Sequence, residues 1–132
     1  MNLLYHGNPL LNRKTVEVTN FNEDIKTVVS DMKKLMTSHR GIGLSLNQTD
    51  YEIPYKIFIM LLDNKGTTQE FINPKIEEEG KEFILSNEGC LSTPGIFVPI
   101  ARPGYAVVSF KDSEGSNKMM ETQNILTRCA LH

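Results

Sequence analysis

The sequence has few cysteines, no long apolar run and no excess of one charge. Fourteen basic and sixteen acidic residues leave a net charge of −2 with no basic block, so bulk electrostatics do not indicate nucleic-acid binding. The longest apolar run, residues 57–62, is far too short to span a membrane. The first eight residues lack the basic and apolar regions of a secretory leader. We therefore expect a cytoplasmic protein whose two cysteines, Cys90 and Cys129, are thiols rather than a disulfide.

The composition is that of an ordinary globular domain. The chain has 132 residues, of which 39% are hydrophobic and 23% are charged. This length is enough to bury a core, and no internal repeat or low-complexity segment divides it. We expect one domain spanning residues 1–132.

Hydrophobic periodicity predicts one amphipathic helix in the first third of the chain. Apolar residues recur at helical spacing from Asn22 to Ser38, with Asn22 placed to cap the N-terminus. Gly41 is the residue expected to end this helix. Residues 55–62 are nearly all apolar and rich in β-formers, which predicts a buried central strand.

The rest of the chain is predicted to be mainly strands. Residues 67–72 should return as a hairpin strand that Asn73-Pro74 breaks, and a second hairpin is expected around Gly80. Further strands are predicted at 97–100, 105–111 and 119–122. Asn124 could cap a final helix, which is apolar on most sides and is therefore expected to be central and buried.

Residues 41–48, Gly-Ile-Gly-Leu-Ser-Leu-Asn-Gln, contain a glycine pair that could cradle a phosphate. The third glycine of a dinucleotide fingerprint is missing, and the segment follows a helix rather than a strand. A tight backbone that presents Gln48 to a site is the better interpretation. Its amide could donate to a developing oxyanion or accept from a bound peptide, although a purely structural Gln48 is equally compatible with the local sequence.

Cys90 lies in Glu-Gly-Cys-Leu-Ser-Thr-Pro-Gly, residues 88–95. A cysteine between glycine and leucine suits a thiolate that binds a metal or attacks a carbonyl, but a lone cysteine is more often a small buried hydrophobe. His132 lies at the end of the predicted last helix. It also has two interpretations, a metal ligand or an incidental residue.

Taken in order, the 41–48 motif, Glu-Gly-Cys-Leu-Ser and the apolar helix ending at His132 resemble the peptide deformylase family. That family has G-x-G-L-A-A-x-Q, E-G-C-L-S and an H-E-x-x-H helix in the same order. Two departures stand out. Ser45 and Leu46 replace a pair of alanines, and the glutamate and second histidine that should follow His132 are lacking. We therefore expect these residues to be part of a longer deformylase, truncated within the H-E-x-x-H motif.

The resemblance implies metal-dependent hydrolysis of the formyl group from the N-terminal formyl-methionine of new polypeptides. It assigns Cys90 and His132 as ligands of one divalent metal ion, normally Fe²⁺, with Zn²⁺, Ni²⁺ or Co²⁺ able to substitute. Glu88 would support the site structurally from behind these ligands. Nascent formyl-Met polypeptides are the implied partners, with transient proximity to the ribosome.

The resemblance also assigns residues to the substrate. Gln48 and the backbone N–H of Leu91 would bind the formyl oxygen as it becomes an oxyanion. Gly43, Leu44 and Gly89 would shape a groove that holds the peptide by strand-like pairing.

The implied fold is α+β, with antiparallel strands packed around a central metal-ligand helix and an additional N-terminal helix. Two alternatives to the metalloenzyme remain open. One is a cysteine hydrolase with Cys90 as nucleophile and His132 as base. The other is a catalytically incomplete deformylase-like protein that binds peptide N-termini without turnover.

Overall fold

Two α-helices and seven strands form the expected α+β fold in the computed structural model, which describes residues 1–132. The helices are α1 (Glu23–Ser38) and α2 (Ile125–Leu131). The strands are β1 (Gly43–Ser45), β2 (Ile57–Leu61), β3 (Thr68–Glu79), β4 (Phe83–Cys90), β5 (Thr93–Pro103), β6 (Tyr105–Lys111) and β7 (Asn117–Gln123). Short 3-10 turns occur at Pro9–Asn12 and Leu46–Gln48. Neither α-helix is both long and apolar enough to cross a membrane.

The strands form two antiparallel sheets. The larger sheet has the order β1-β2-β3-β6-β7, and β4 pairs with β5 in a separate two-stranded sheet. The predicted β2–β3 hairpin is confirmed, and its turn is stabilised by the Asp63 carboxylate, which accepts hydrogen bonds from the N–H groups of Lys65 and Thr67 at 2.8 and 3.1 Å. Strand β1, which follows the glycine pair, is an edge strand of the larger sheet.

Strand β3 runs through the point where a break was predicted. Asn73 has a left-handed backbone with φ 52°, and the pairing with β6 shifts register there, so a bulge accommodates the following proline. The Asn73 side chain stabilises this bulge by exchanging two hydrogen bonds with the backbone of Val18, both at 2.9 Å. The predicted break at Asn73-Pro74 is therefore wrong.

The second hairpin predicted around Gly80 is also wrong. The N–H of Gly80 donates to the carbonyl of Tyr105 at 2.8 Å, which continues the β3–β6 pairing. Beyond this point the chain leaves the larger sheet, and β4 pairs with β5 along most of its length instead of returning along β3.

Helix α1 begins as predicted, with the Asn22 side chain accepting hydrogen bonds from the N–H groups of Asp24 and Ile25 at 3.0 and 3.3 Å. Its end differs from the prediction. Arg40, not Gly41, takes the left-handed conformation (φ 55°), and the Gly41 N–H donates back to Met36 O at 3.0 Å. This pattern is a Schellman motif with arginine in the position that glycine usually occupies.

The core has two parts, one on each face of the larger sheet. Helix α1 covers one face with a buried row of apolar residues: Ile25, Val28, Val29, Met32 and Met36. On the opposite face, Met60, Phe71, Val108 and Phe110 form a smaller cluster against which α2 packs. Helix α2 also contacts β5, so it lies between the two sheets as expected.

The expectation that α2 is fully buried is wrong. Thr127 is its one buried residue and Ile125 is 59% exposed, because the helix packs against the smaller core cluster through Leu126, Cys129 and Ala130, which are themselves only partly buried. Asn124 precedes the helix as expected, but its side chain makes no capping hydrogen bond, and its backbone is left-handed with φ 54°.

Candidate active site

The Gln48 side chain links the two sequence motifs. Its Oε1 accepts a hydrogen bond from the Ser45 N–H at 2.9 Å, which fixes the orientation of the amide. Its Nε2 then donates to Ser92 Oγ at 3.1 Å and to Cys90 Sγ at 3.4 Å. Leu46, which with Ser45 replaces the alanine pair of the family motif, is completely buried and belongs to the core. The structure therefore brings Gln48 and Cys90 together.

Cys90 ends β4, and Leu91 and Ser92 form the tight turn into β5. The Leu91 side chain packs on Gly41, where a Cβ atom would lie 2.7 Å from Leu91 Cδ1. The Leu91 N–H has no acceptor within the protein. A free backbone donor thus lies one residue from Cys90, close to the donating amide of Gln48.

Two of the three proposed groove residues, Gly43 and Gly89, lie where neighbouring atoms approach closely. A Cβ atom on Gly43 would be 2.5 Å from Cys129 Sγ, and one on Gly89 would be 2.7 Å from the Phe97 ring. Leu44 is 2% exposed and its side chain belongs to the core beneath α1. The Leu44 side chain therefore does not line a groove.

Glu88 is the centre of an ion cluster. Arg102 binds its carboxylate in a bidentate manner at 2.6 and 2.9 Å, Arg128 Nη1 lies 2.6 Å away, and His132 Nδ1 lies 2.9 Å away. Glu88 is 7% exposed. The hydrogen bonds from Arg102, and then those from His132 and Arg128, outweigh burial and lower the pKa of Glu88 from 4.5 to about 2. Glu88 is therefore ionised at neutral pH.

The two arginines also attach α2 to the smaller sheet. Arg102 Nη1 donates to Leu131 O at 3.1 Å, and Arg128 Nη1 donates to Ile100 O at 2.8 Å. Sequence reasoning missed both residues. Arg128 did carry a signal, since it is the one charged side chain of an otherwise mostly apolar helix and a buried charge needs a partner.

Three kinds of comparison agree on the family. A model of the polypeptide deformylase family matches residues 1–132. The peptide deformylase of Nitrosococcus oceani is 34% identical over 134 aligned positions that cover 100% of this chain and 78% of the relative. That of Borreliella burgdorferi is 31% identical and covers 100% of this chain and 79% of the relative. The chain belongs to the polypeptide deformylase family.

A solved structure supports the same assignment at the level of the fold. The crystal structure of the Thermotoga maritima peptide deformylase superposes with a TM-score of 0.92 at 30% identity, covering 99% of this chain and 86% of that one. The expected fold class and enzyme class are thereby confirmed. Deformylases in general are metal-dependent hydrolases of protein biosynthesis. The expectation of a metal-dependent enzyme therefore agrees with the family.

The donors that a deformylase metal would need are present only in part. Among residues 1–132, no three His, Cys, Asp or Glu side chains are grouped to hold a metal ion. The chemistry of the two candidates does fit: thiolate and imidazole suit zinc and iron, and a ligating histidine commonly donates its other nitrogen to a carboxylate. His132 Nδ1 is hydrogen-bonded to Glu88, so Nε2 is the ring nitrogen left to bind a metal.

The structure favours neither Cys129 as a nucleophile nor a catalytic pair of Cys90 and His132. Burial, with a smaller contribution from Glu88, raises the pKa of the Cys129 thiol to about 11, so it stays protonated at neutral pH. Cys90 Sγ is hydrogen-bonded to Gln48, whereas His132 is hydrogen-bonded to Glu88. The two residues do not form the nucleophile–base hydrogen bond that a cysteine hydrolase requires.

Proposed function

We propose that this protein removes the formyl group from the N-terminal formyl-methionine of newly made polypeptides by metal-dependent hydrolysis. The observation that carries the proposal is the contact of the Gln48 amide donor with Cys90 Sγ at 3.4 Å, in a chain that belongs to the deformylase family. The contact joins an oxyanion donor to a candidate metal ligand across two sequence motifs. The cytoplasm, near the ribosome, is the proposed site of action.

In this proposal, Gln48 Nε2 and the Leu91 N–H stabilise the formyl oxygen as negative charge develops on it. Both are donors, and the Leu91 N–H has no competing acceptor. Strand β1 is an edge strand, so the outward backbone groups of Gly43 are available to pair with an extended peptide, and Leu44 would shape the groove beside them. Gly89, on β4, would line the other side of this groove.

Cys90 and His132 are proposed as ligands of one divalent metal ion, with iron the first candidate and zinc, nickel or cobalt as substitutes. When bound, such an ion supplies a hydroxide at neutral pH and polarises the carbonyl. Glu88 holds the imidazole by Nδ1, so that Nε2 is the nitrogen that can ligate. The ion cluster around Glu88 therefore orients a ligand rather than contacting the substrate.

Two ligands are fewer than the three that catalytic zinc sites usually have. We propose that turnover needs a third protein ligand and a general base in addition to the residues described. Binding of formyl-Met peptides without turnover is the alternative function, and the absence of a three-ligand group among residues 1–132 favours it for this stretch of chain alone.

The test is hydrolysis and binding of a formyl-Met tripeptide with added Fe²⁺, Ni²⁺ or Co²⁺ under anaerobic conditions. Residues 1–132 are compared with a chain extended by Glu-Leu-Asp-His and one more helical turn, and Gln48→Leu serves as the control in both. Turnover that needs the extension supports the metalloenzyme with a third ligand. Binding without turnover in both chains supports the alternative. Failure of both chains to bind or hydrolyse the peptide overturns the proposal.

A further inference from the structure

Residues Asn2–His6, here named the N-terminal strap, lie across both segments that form the site. At its start, the N–H and Nδ2 of Asn2 donate to the Asp50 carboxylate at 2.7 and 2.9 Å, and the Asp50 N–H returns a bond to Asn2 O at 3.0 Å. Leu3 and Leu4 are 8% and 6% exposed, so the strap is fixed in the core and is not a loose tail.

The strap then binds two residues of the site by their backbone carbonyls. The Leu4 N–H donates to Gln48 O at 2.7 Å, and the His6 N–H donates to Ser92 O at 2.8 Å. The side chains of these same two residues are joined by the Gln48 Nε2–Ser92 Oγ hydrogen bond of 3.1 Å. Strap, Gln48 and Ser92 therefore form a closed ring of covalent and hydrogen bonds.

This ring spans a junction between the two sheets. Gln48 follows β1 of the larger sheet, whereas Ser92 lies in the β4–β5 turn of the smaller sheet. Gln48 Nε2, which the proposed reaction also uses, makes the side-chain hydrogen bonds from Gln48 to Ser92 and to Cys90. When Nε2 turns to a substrate oxygen, these links weaken, but the two strap bonds to the backbone persist.

We propose that the N-terminal strap is a positioning element that holds the Gln48 amide at a fixed distance from the Cys90–Ser92 turn. The inference rests on the proposed role of Gln48 as oxyanion donor. Small displacements of a catalytic group are costly, since a shift of about 1 Å can lower a rate by about a hundredfold. The strap acts through the backbone N–H groups of Leu4 and His6, so replacing the exposed His6 side chain by alanine leaves the effect in place.

The test uses His6→Pro, which removes the N–H that binds Ser92 O, with His6→Ala as the matched control that keeps the N–H. The His6 residue is exposed, so the alanine variant should behave like the wild type. In the chain that turns over a formyl-Met peptide, His6→Pro should lower kcat by about tenfold to a hundredfold and change KM by less than about twofold. The ¹⁵N-labelled side-chain amide signals of Gln48 should shift in the proline variant only.

The two readouts, kcat and the Gln48 amide signals, distinguish a failure of the strap proposal from a failure of the proposed function. If the extended chain does not hydrolyse the peptide, the proposed function fails, and the Gln48 amide signals alone decide whether the strap proposal holds. Unchanged Gln48 signals in a folded His6→Pro variant overturn the strap proposal, as does an unchanged kcat. If proline lowers the melting temperature so far that folding is lost, a semisynthetic chain with an ester in place of the His6 N–H is measured by the same two readouts.

Discussion

Replacing Glu88 by glutamine should destabilise the protein by an amount that depends on pH. The carboxylate accepts hydrogen bonds from Arg102, His132 and Arg128, which lower its pKa from 4.5 to about 2. At about 1.4 kcal/mol per pKa unit, the ionised form contributes about 3 kcal/mol to the free energy of unfolding at neutral pH. This agrees with the cost of about 3–5 kcal/mol for removing one partner of a buried ion pair.

The pH dependence follows from the lowered pKa. A group whose pKa is lower in the folded state stabilises that state fully above its unfolded pKa, here 4.5, and the effect is lost as pH falls toward 2. The difference in unfolding free energy between wild type and Glu88→Gln should thus shrink from about 3 kcal/mol at pH 7 toward zero near pH 2.

Urea denaturation of the metal-free protein at pH 7, 5 and 3, followed by circular dichroism, measures this difference. Glu17→Gln is the matched control, because Glu17 is exposed, and it should change stability by less than about 0.5 kcal/mol at any of these pH values. A Glu88→Gln effect that is the same at all three pH values, or that is below about 1 kcal/mol at pH 7, would refute the reasoning.

Three further outcomes are expected from the site and its surroundings. Gln48→Leu should fold normally and lower kcat by about a hundredfold to a thousandfold, as loss of one oxyanion donor does, whereas a change in KM alone would make Gln48 a general binding residue. Asn124→Gly should raise the free energy of unfolding by about 0.5–1 kcal/mol in thermal melts, because Asn124 has φ 54° and no capping bond to lose. Iodoacetamide at pH 8 should alkylate Cys90 but not Cys129, whose pKa is raised to about 11, and peptide mass mapping that finds Cys129 modified first would contradict this.

Local signals in the sequence were sufficient for the elements that short-range interactions determine. Helix α1 follows from its apolar spacing and the Asn22 cap, both of which lie within the helix or one residue from it. The β2–β3 hairpin follows from two β-rich segments around a turn with Asp63 and Gly66. In each case the residues that stabilise the element are close together in the sequence.

Where prediction failed, partners distant in sequence decide the structure. The bulge at Asn73 depends on Val18, 55 residues earlier, so nothing around Asn73-Pro74 indicated that β3 continues. Arg102 lies 14 residues from Glu88 and Arg128 lies 40 away, so the cluster could not be derived from local spacing. The contact of Gln48 with Cys90 was expected only through the family resemblance. In the structure it is a hydrogen bond from Gln48 Nε2 to Cys90 Sγ of 3.4 Å.

The position of His132 depends on side-chain bonds more than on apolar burial. Helix α2 has seven residues, a length at which helices are unstable in isolation, and one of these residues is fully buried. At its start, Thr127 Oγ1 bonds to Thr122 Oγ1 at 2.8 Å and to Gly104 O at 3.3 Å. At its end, the two arginines and Glu88 attach it to the smaller sheet. The carboxylate that orients the His132 ring is therefore also one that holds its helix, so a loss of stability and a displacement of the His132 ring should accompany each other at this site.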